Sequence, residues 1–328
     1  MNDFKNLNVL VTGATGFIGS NLVRVLLQKG AKVSILKRPK SSVWRLKDIL
    51  TRIKILDADL RDKHHLQLAL KKSDSKVIFH LAACVNRGQS VHLLKENLDT
   101  NLIGTINLVN CFINKDIRSF VNTGTCDEYG DNPVPFNEKQ RENPLSPYAA
   151  SKVAASHYCQ MLTRTCGLPI ITLRPFLTYG PYQTGEMLIP NVVTSCLKSL
   201  PIQATLGQQT REFHYISDIV DGFLLAATNK KAIGEIIDLG TGEEHTVKEV
   251  IEMIVELTEY PLKWKLGNLP YRENEMFRFY CRGEKAKKLL KWRSKTSLKD
   301  GLIKTIEWHK KFSKSNKLPR AKSSRYYL

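Results

Sequence analysis

Three evenly spaced glycines follow a short apolar run near the start of the chain. The run at residues 7–12 reads LNVLVT and has strand character, and the glycines lead into the helical pattern SNLVRVLLQKG. In such a strand–turn–helix unit the first glycine permits the tight turn, the second lets backbone N–H groups approach a pyrophosphate, and the third allows close packing of helix on strand. The helix N-terminus also faces the anion. The predicted dinucleotide-binding residues of this loop are Gly13, Gly16, Phe17, Ile18 and Gly19.

Strand and helix patterns alternate along the first half of the chain. The strand-type runs lie near residues 7–12, 32–37, 52–57, 76–80, 117–122 and 169–174. This alternation predicts an α/β fold with a Rossmann-type, doubly wound parallel sheet. A short strand near 234–238 and helices near 246–258, 284–290 and 297–312 follow, and they predict a smaller C-terminal α/β lobe that binds substrate.

These patterns divide the chain into three predicted parts. Residues 1–175 form the dinucleotide-binding domain, to which a later segment near 210–240 returns, and residues 176–312 form the substrate lobe. Residues 313–328 are basic, rich in serine and without periodicity, so we predict a disordered tail.

Tyr148 and Lys152 stand four residues apart in a helical pattern, which places a phenol and an ammonium on one helical face. The positive charge favours the phenolate, so it lowers the pKa of a tyrosine from about 10 toward neutrality. A tyrosine tuned in this way can exchange a proton with an alcohol or a ketone. The same spacing also occurs in solvated surface pairs, so the pair gains meaning only beside the glycine motif.

The glycine spacing and the Tyr148–Lys152 pair together resemble the extended short-chain dehydrogenase/reductase family, which includes nucleotide-sugar epimerases, dehydratases and 4-ketoreductases. The resemblance covers about residues 5–312 and includes Thr125, four residues before Tyr129. It implies that Tyr148 is the acid/base for a sugar hydroxyl or ketone, that Lys152 tunes it and binds the nicotinamide ribose, and that Thr125 orients the same oxygen. Further cofactor contacts are implied for Asp59, Leu60, Leu81, Ala82, Ala83 and Asn101.

The end of the second strand bears on the choice of cofactor. Members of the family that prefer NAD(H) usually carry an Asp there, whereas this chain has Lys37 and Arg38. Two cations suit a 2′-phosphate, so we expect NADP(H), with NAD(H) as the alternative. A generally basic surface would leave the same pattern.

The residues after Thr125 bear on the reaction. The 4,6-dehydratases of the family that this chain resembles carry Asp and then Glu directly after the threonine, whereas this chain has Cys126 and then Asp127. We therefore favour 4-keto reduction or C4 epimerisation of a nucleoside-diphosphate sugar, with Asp127 as a further candidate catalytic residue. Dehydration is the alternative, because a slip of one residue would pair Asp127 with Glu128.

Substrate contacts are implied by the second half of the chain. Leu177 replaces an asparagine that many epimerases and dehydratases use for the substrate diphosphate, so that hydrogen bond is lost. The resemblance instead gives Arg211 and Arg272 this role, and charge-assisted arginine contacts are strong. Thr125 would contact the sugar itself.

The net charge of +19 raises a lesser alternative, a non-enzymatic nucleic-acid-binding protein. Seven basic residues and no acidic one lie between Lys310 and Arg325, so the tail supplies over a third of the excess without an aromatic stacking platform. We expect no nucleic-acid partner.

The remaining composition bears on the cellular compartment and on metals. Seven scattered cysteines without C-x-x-C spacing predict reduced thiols and no metal site. No run of about 18 apolar residues occurs, and the N-terminus has no signal-peptide pattern, so we expect a soluble, cytoplasmic protein without integral membrane contact.

Two amphipathic patterns, near residues 92–113 and 146–165, predict helices whose apolar faces cover the sheet. In the resembling family these helices form a four-helix dimer interface. We therefore expect a homodimer.

Overall fold

The computed structural model describes residues 3–86, 91–185, 187–271 and 275–315. Its central feature is a seven-stranded sheet in which every pairing is parallel. The strands are β1 (Asn8–Thr12), β2 (Lys32–Lys37), β3 (Lys54–Asp57), β4 (Val77–His80), β5 (Ser119–Thr123), β6 (Ile170–Pro175) and β10 (Ile236–Leu239). Their order is β10-β6-β5-β4-β1-β2-β3, so the direction of winding reverses between β1 and β4.

Helices cover both faces of this sheet within the described part of the chain. The α-helices are α1 (Phe17–Gln28), α2 (Lys63–Leu70), α3 (Val91–Asn97), α4 (Gly104–Asn110), α5 (Pro147–Cys166), α6 (Leu188–Leu197), α7 (Ile216–Thr228), α8 (Val247–Thr258) and α9 (Leu298–Ser315). A π-helical segment at Leu98–Ile103 joins α3 to α4, and a second lies at Ala286–Leu290. None of the described helices combines the length and the hydropathy that crossing a membrane requires.

Four short strands pair outside the main sheet. They are β7 (Leu177–Tyr179), which pairs in parallel with β9 (Phe213–Tyr215), and β8 (Thr210–Arg211), which pairs antiparallel to β11 (His245–Thr246). These pairs follow the carboxyl end of β6, so they lie on the side of the sheet where the loops after the strands gather.

Alternating strand residues feed two hydrophobic cores. Val9 and Val11 of β1 belong to the core that α1 and α7 share with the C-terminal helices. Leu10 belongs to the opposite core, beneath α2, α4 and α5. Both faces of β1 are therefore buried, as expected for a parallel sheet covered on both sides.

The predicted fold class is confirmed. The strand predicted near 234–238 is β10, and it extends the main sheet beside β6. The long helix predicted near 92–113 is instead α3, the π-helical segment and α4 in sequence. Helix α9 continues to Ser315, so residues 313–315, which were predicted to be disordered, are helical. The rest of the predicted tail, residues 316–328, lies outside the described residues. The division at residue 175 stays a prediction.

Candidate active site

A cavity of about 750 Å³ lies at the carboxyl ends of the strands. The loops after β1 to β5 line it, and it opens at the reversal between β1 and β4, where doubly wound sheets bind their ligands. Asn101 and Arg211 do not line this cavity, and Arg272 lies outside the described residues. The predicted residues that do line it are Gly13, Gly16, Phe17, Ile18, Gly19, Lys37, Arg38, Asp59, Leu60, Leu81, Ala82, Ala83, Thr125, Asp127, Tyr148 and Lys152.

The glycine loop brings two pieces of backbone into close contact. Gly13 has a φ of +68°, and a Cβ there would lie 2.5 Å from the Ala82 backbone nitrogen. A Cβ on Gly19 would lie 2.3 Å from the Gly13 carbonyl oxygen, so helix α1 packs tightly on the turn. Gly16 caps α1 at the cavity wall. The loop therefore exposes helix N-terminal N–H groups to the cavity, which fits the pyrophosphate of a dinucleotide.

Helix α5 places Tyr148 and Lys152 in the same wall. Ser146 caps the helix by accepting a hydrogen bond from the Ala149 N–H at 3.1 Å, and Pro147 occupies the first turn. Tyr148 is therefore in the first turn and Lys152 one turn further, and both side chains are buried. Burial lowers the pKa of Lys152, while the charge of Glu128 opposes that shift. The expected phenol and ammonium thus lie together beside the cavity.

Thr125 caps a short 3-10 turn, Cys126–Tyr129, directly after β5. Its hydroxyl accepts a hydrogen bond from the Asp127 N–H at 3.3 Å, and its N–H donates to Glu128 Oε1 at 2.8 Å. This capping box fixes the Thr125 hydroxyl at the cavity wall, where it can donate to a substrate oxygen. Asp127 leaves the turn toward the same cavity.

Glu128 belongs to a buried ion-pair cluster and not to the cavity. Its Oε2 accepts from Arg174 Nη2 at 2.7 Å, and Arg174 also donates to Glu142 at 2.6 Å. The side chains of Glu128 and Arg174 are both fully buried. The structure therefore does not present Asp127 and Glu128 together at the cavity, because Glu128 is buried against Arg174.

Asn101 supports the cavity wall from behind. Its side chain accepts from the Cys84 N–H at 2.8 Å and donates to the Cys84 carbonyl at 2.9 Å and to Ser151 Oγ at 2.8 Å. The resemblance implied a direct cofactor contact, whereas the structure ties Asn101 to the loop after β4 and to helix α5. Its place is between the two walls that carry Ala83 and Lys152.

Lys37 and Arg38 differ in their surroundings. Lys37 Nζ lies 2.5 Å from Asp57 of the neighbouring strand β3 and also donates to the Pro39 carbonyl. Its charge is therefore partly neutralised, while Arg38 lines the cavity beside Asp59. Asp59 itself pairs with Arg61 at 2.6 Å.

Arg45 is a cavity residue that the sequence did not reveal. Its guanidinium donates to the Tyr182 carbonyl at 2.8 Å, to Thr184 Oγ1 at 3.0 Å and to the Thr15 carbonyl at 3.3 Å. It thereby joins the glycine loop to the segment after β7, over the cavity. Burial lowers its pKa to about 10, so the group stays cationic at neutral pH.

We predict that Arg45→Ala raises the Kd for NADH about tenfold, because a charge-assisted clasp beside the pyrophosphate site is lost. Fluorescence titration of the cofactor into purified protein measures this. Arg52→Ala is the matched control, since Arg52 lies in the same 3-10 segment, Trp44–Arg52, and does not line the cavity. An equal loss in both variants would contradict the assignment.

A second cavity of about 270 Å³ adjoins the first. Arg211 lines it and donates to the Met276 and Thr210 carbonyls, both at 2.7 Å, and to Glu275. Asp127, Leu177 and Met187 line both cavities and so mark their junction. The site therefore consists of a large dinucleotide-sized cavity, the Thr125–Tyr148–Lys152 group, and a smaller cavity with an arginine.

This fold and site define a nicotinamide-dependent enzyme of the Rossmann class. A family model, the NAD dependent epimerase/dehydratase family, matches residues 9–240, and the chain belongs to that family. The resemblance to the extended short-chain dehydrogenase/reductases is thereby confirmed, as is the expectation of an NAD-dependent enzyme. The preference for NADP(H) stays a prediction.

The relatives of this chain are named for different reactions. A putative UDP-glucose 4-epimerase of Methanocaldococcus jannaschii is 32% identical, with 92% of this chain and 98% of the relative covered. A dTDP-glucose 4,6-dehydratase of Haemophilus influenzae is 30% identical over the same shares of the two chains. Among solved structures, a UDP-glucose 4-epimerase of Thermotoga maritima with UDP-glucose has a TM-score of 0.85 at 28% identity, covering 93% of this chain and 99% of that one.

Proposed function

We propose that the protein is a nicotinamide-dependent 4-epimerase of a nucleoside-diphosphate hexose, with UDP as the favoured nucleotide. The observation that carries this choice is the burial of Glu128 against Arg174. Dehydration needs one group to remove the C5 proton and another to help expel the C6 hydroxyl. Of the two carboxylates after Thr125, only Asp127 reaches the cavity, so the pair is broken.

The proposed chemistry belongs to Tyr148, Lys152 and Thr125. Tyr148 takes the proton of the C4 hydroxyl and returns it after the carbonyl has turned its other face. The ammonium of Lys152, one helical turn away, stabilises the phenolate, and Thr125 donates a hydrogen bond to the same oxygen. A bound nicotinamide would accept and return the hydride at C4. The two cavity walls would hold the sugar and the nicotinamide in position, and this would supply much of the remaining rate acceleration.

The second cavity suits the nucleoside diphosphate. Arg211 supplies a cation at its wall, and Phe213 and Phe279 supply aromatic surface. A diphosphate in this cavity would compete with Glu275 for the Arg211 guanidinium. Arginine can bind a phosphate through two parallel hydrogen bonds, which would favour the diphosphate. Arg272 lies outside the described residues, so its role in binding the substrate diphosphate stays a prediction.

Product analysis tests the proposal. The protein is incubated with UDP-, GDP-, CDP- and dTDP-hexoses and their 4-keto-6-deoxy derivatives, with and without added NADPH, and products are identified by NMR and mass spectrometry. We expect a C4 isomer without net consumption of cofactor. Stoichiometric NADPH oxidation on a keto sugar would instead identify a 4-ketoreductase, and loss of water from a hexose would identify a dehydratase.

We propose further that the adenosine end of the cofactor site accepts a 2′-phosphate beside Arg38. Arg38→Ala should raise the Kd for NADPH about tenfold and that for NADH less than about threefold, because the 2′-phosphate contact alone is lost. Lys37→Ala is the comparison variant and should change the ratio little, since Asp57 already pairs with Lys37. Equal losses for both cofactors in Arg38→Ala would refute this placement.

We also propose a homodimer formed through helix α5 and the helical stretch that runs from α3 through the π-helical segment to α4. Three large apolar residues of these helices are 44–46% exposed, namely Leu98, Ile103 and Tyr158. By contrast, Leu108 and Val109 of α4 are buried within the subunit. Exposed apolar side chains grouped on packed helices mark an association surface. Light scattering after size-exclusion chromatography would give twice the mass of 37.3 kDa for a dimer.

A further inference from the structure

Two short segments meet over the larger cavity, which fits the dinucleotide. One is the 3-10 segment that carries Arg45, and the other is residues 181–184 after β7, which we call the strap. Arg45 and Thr184 both line the cavity. The Arg45 guanidinium joins the two segments by donating to Thr184 Oγ1 and to the Tyr182 carbonyl, and it also donates to the Thr15 carbonyl of the glycine loop. Separation of the two segments would therefore widen the cavity beside the pyrophosphate site.

The strap depends on its neighbours for its conformation. Tyr182 has a φ of +70°, which residues with a side chain rarely adopt. The Arg24 guanidinium of helix α1 lies 4.3 Å from the centre of the Tyr182 ring, and Asn21 donates to the Pro181 carbonyl at 3.0 Å. Arg24 also donates to the Arg45 carbonyl at 2.6 Å. Helix α1 thus supports the strap and the 3-10 segment together.

Helix α9 contacts both segments through two aromatic side chains near its C-terminal end. Trp308 packs against the Tyr182 ring of the strap, with 5.1 Å between the ring centroids. Phe312 packs against Trp44 of the 3-10 segment, with 5.3 Å between the centroids, and stacks on Trp308 at 4.7 Å. The Arg45 guanidinium lies over the Trp44 ring at 4.3 Å. The end of α9 therefore bridges the two segments that Arg45 joins.

We propose that Trp308 and Phe312 are positioning residues that hold the strap on the 3-10 segment and so slow the release of the nicotinamide cofactor. Both side chains are partly buried, and aromatic pairs stabilise a contact beyond the area that they bury. This clamp depends only on the cofactor cavity. Its use in the reaction rests on the proposed function, because an epimerase must return the hydride to the sugar before the cofactor leaves.

The rate of NADH release tests this inference. Protein loaded with NADH is mixed with excess NAD⁺, and the loss of nicotinamide fluorescence is followed by stopped flow. We expect Trp308→Ala and Phe312→Ala each to raise the release rate constant about tenfold, because each removes one contact with a segment and the stack between the two rings. The double variant should exceed the faster single variant by less than about threefold, since the two rings act as one unit. Trp308→Phe and Phe312→Tyr keep a ring and should stay within about threefold of the unmodified protein.

Trp264→Ala is the matched control. Trp264 is also partly buried and packs against the main hydrophobic core, and it does not line the larger cavity. Its truncation should lower the thermal unfolding temperature and leave the release rate constant unchanged. Circular dichroism at the temperature of the kinetics shows which variants are folded. If Trp308→Ala does not fold, Phe312→Ala decides the test, because Phe312 lies in the last turn of α9.

The contrary outcomes separate the clamp from the proposed function. Unchanged release in the folded alanine variants, or equal acceleration in Trp264→Ala, would overturn the inference. Calorimetry with UDP should give a Kd within about twofold of that of the unmodified protein for every variant. A protein that shows the expected release rates but does not bind UDP would overturn the proposed function and leave the clamp standing.

Discussion

Tyr148→Phe is expected to lower kcat by about 10³-fold while leaving the Kd for the nicotinamide cofactor within about twofold of its value in the unmodified protein. In the proposed mechanism the phenol moves the proton of the sugar hydroxyl, and phenylalanine keeps the ring that fills the wall of the cavity. The loss should therefore fall on the chemical step. Steady-state kinetics on the accepted hexose, together with cofactor titration, measure the two quantities.

Tyr158 provides the matched control for this experiment. It lies on the same helix α5, but its side chain is 44% exposed and does not line the cavity. Tyr158→Phe should keep full activity. If Tyr148→Phe retained more than about a tenth of the activity, another group would have to carry the proton and the assignment would be wrong.

Glu128→Gln is expected to lower the free energy of unfolding by about 3–5 kcal/mol, because it leaves a buried arginine without its main partner. Arg174 is fully buried, donates two hydrogen bonds to Glu128 and stacks over the Tyr129 ring at 4.8 Å. The Glu142 carboxylate remains and compensates only part of the charge. Urea-induced unfolding, followed by circular dichroism, measures the change.

An exposed ion pair serves as the reference. Asp116→Asn removes the partner of Lys76 at the surface, where such pairs contribute about 0–1 kcal/mol. A loss of less than about 1 kcal/mol for Glu128→Gln would mean that the cluster around Arg174 does not hold the turn after β5. Activity of the folded variant should also fall, since Glu128 fixes the backbone of Thr125.

The parts of the site that depend only on residues close together in the sequence were predictable from the sequence. The glycine loop depends on a strand, a turn and a helix that are contiguous, and Tyr148 and Lys152 depend on one helical turn. In both cases the regular geometry of one strand or one helix determines which residues lie next to each other in space. The structure accordingly places these residues at one cavity.

The parts that depend on distant partners were not predictable. The direction of Glu128 is set by Arg174, 46 residues further along the chain. Arg45 reaches the Tyr182 carbonyl across 137 residues, and no local pattern marks that contact. The sequence predicts that the Lys37 charge is available for a phosphate, whereas Asp57, on the neighbouring strand β3, pairs with it. Spacing in the sequence does not report such side-chain pairings.

The fate of the hydrogen on C4 tests the central claim, that this site oxidises and reduces a hexose at C4. A nucleoside-diphosphate hexose deuterated at C4 is incubated with the protein, and the product is examined by NMR. We predict a C4 epimer that keeps the deuterium at C4, with none incorporated when unlabelled substrate reacts in D₂O. Loss of the label to solvent, or its transfer to C6 of a dehydrated keto sugar, would contradict the account.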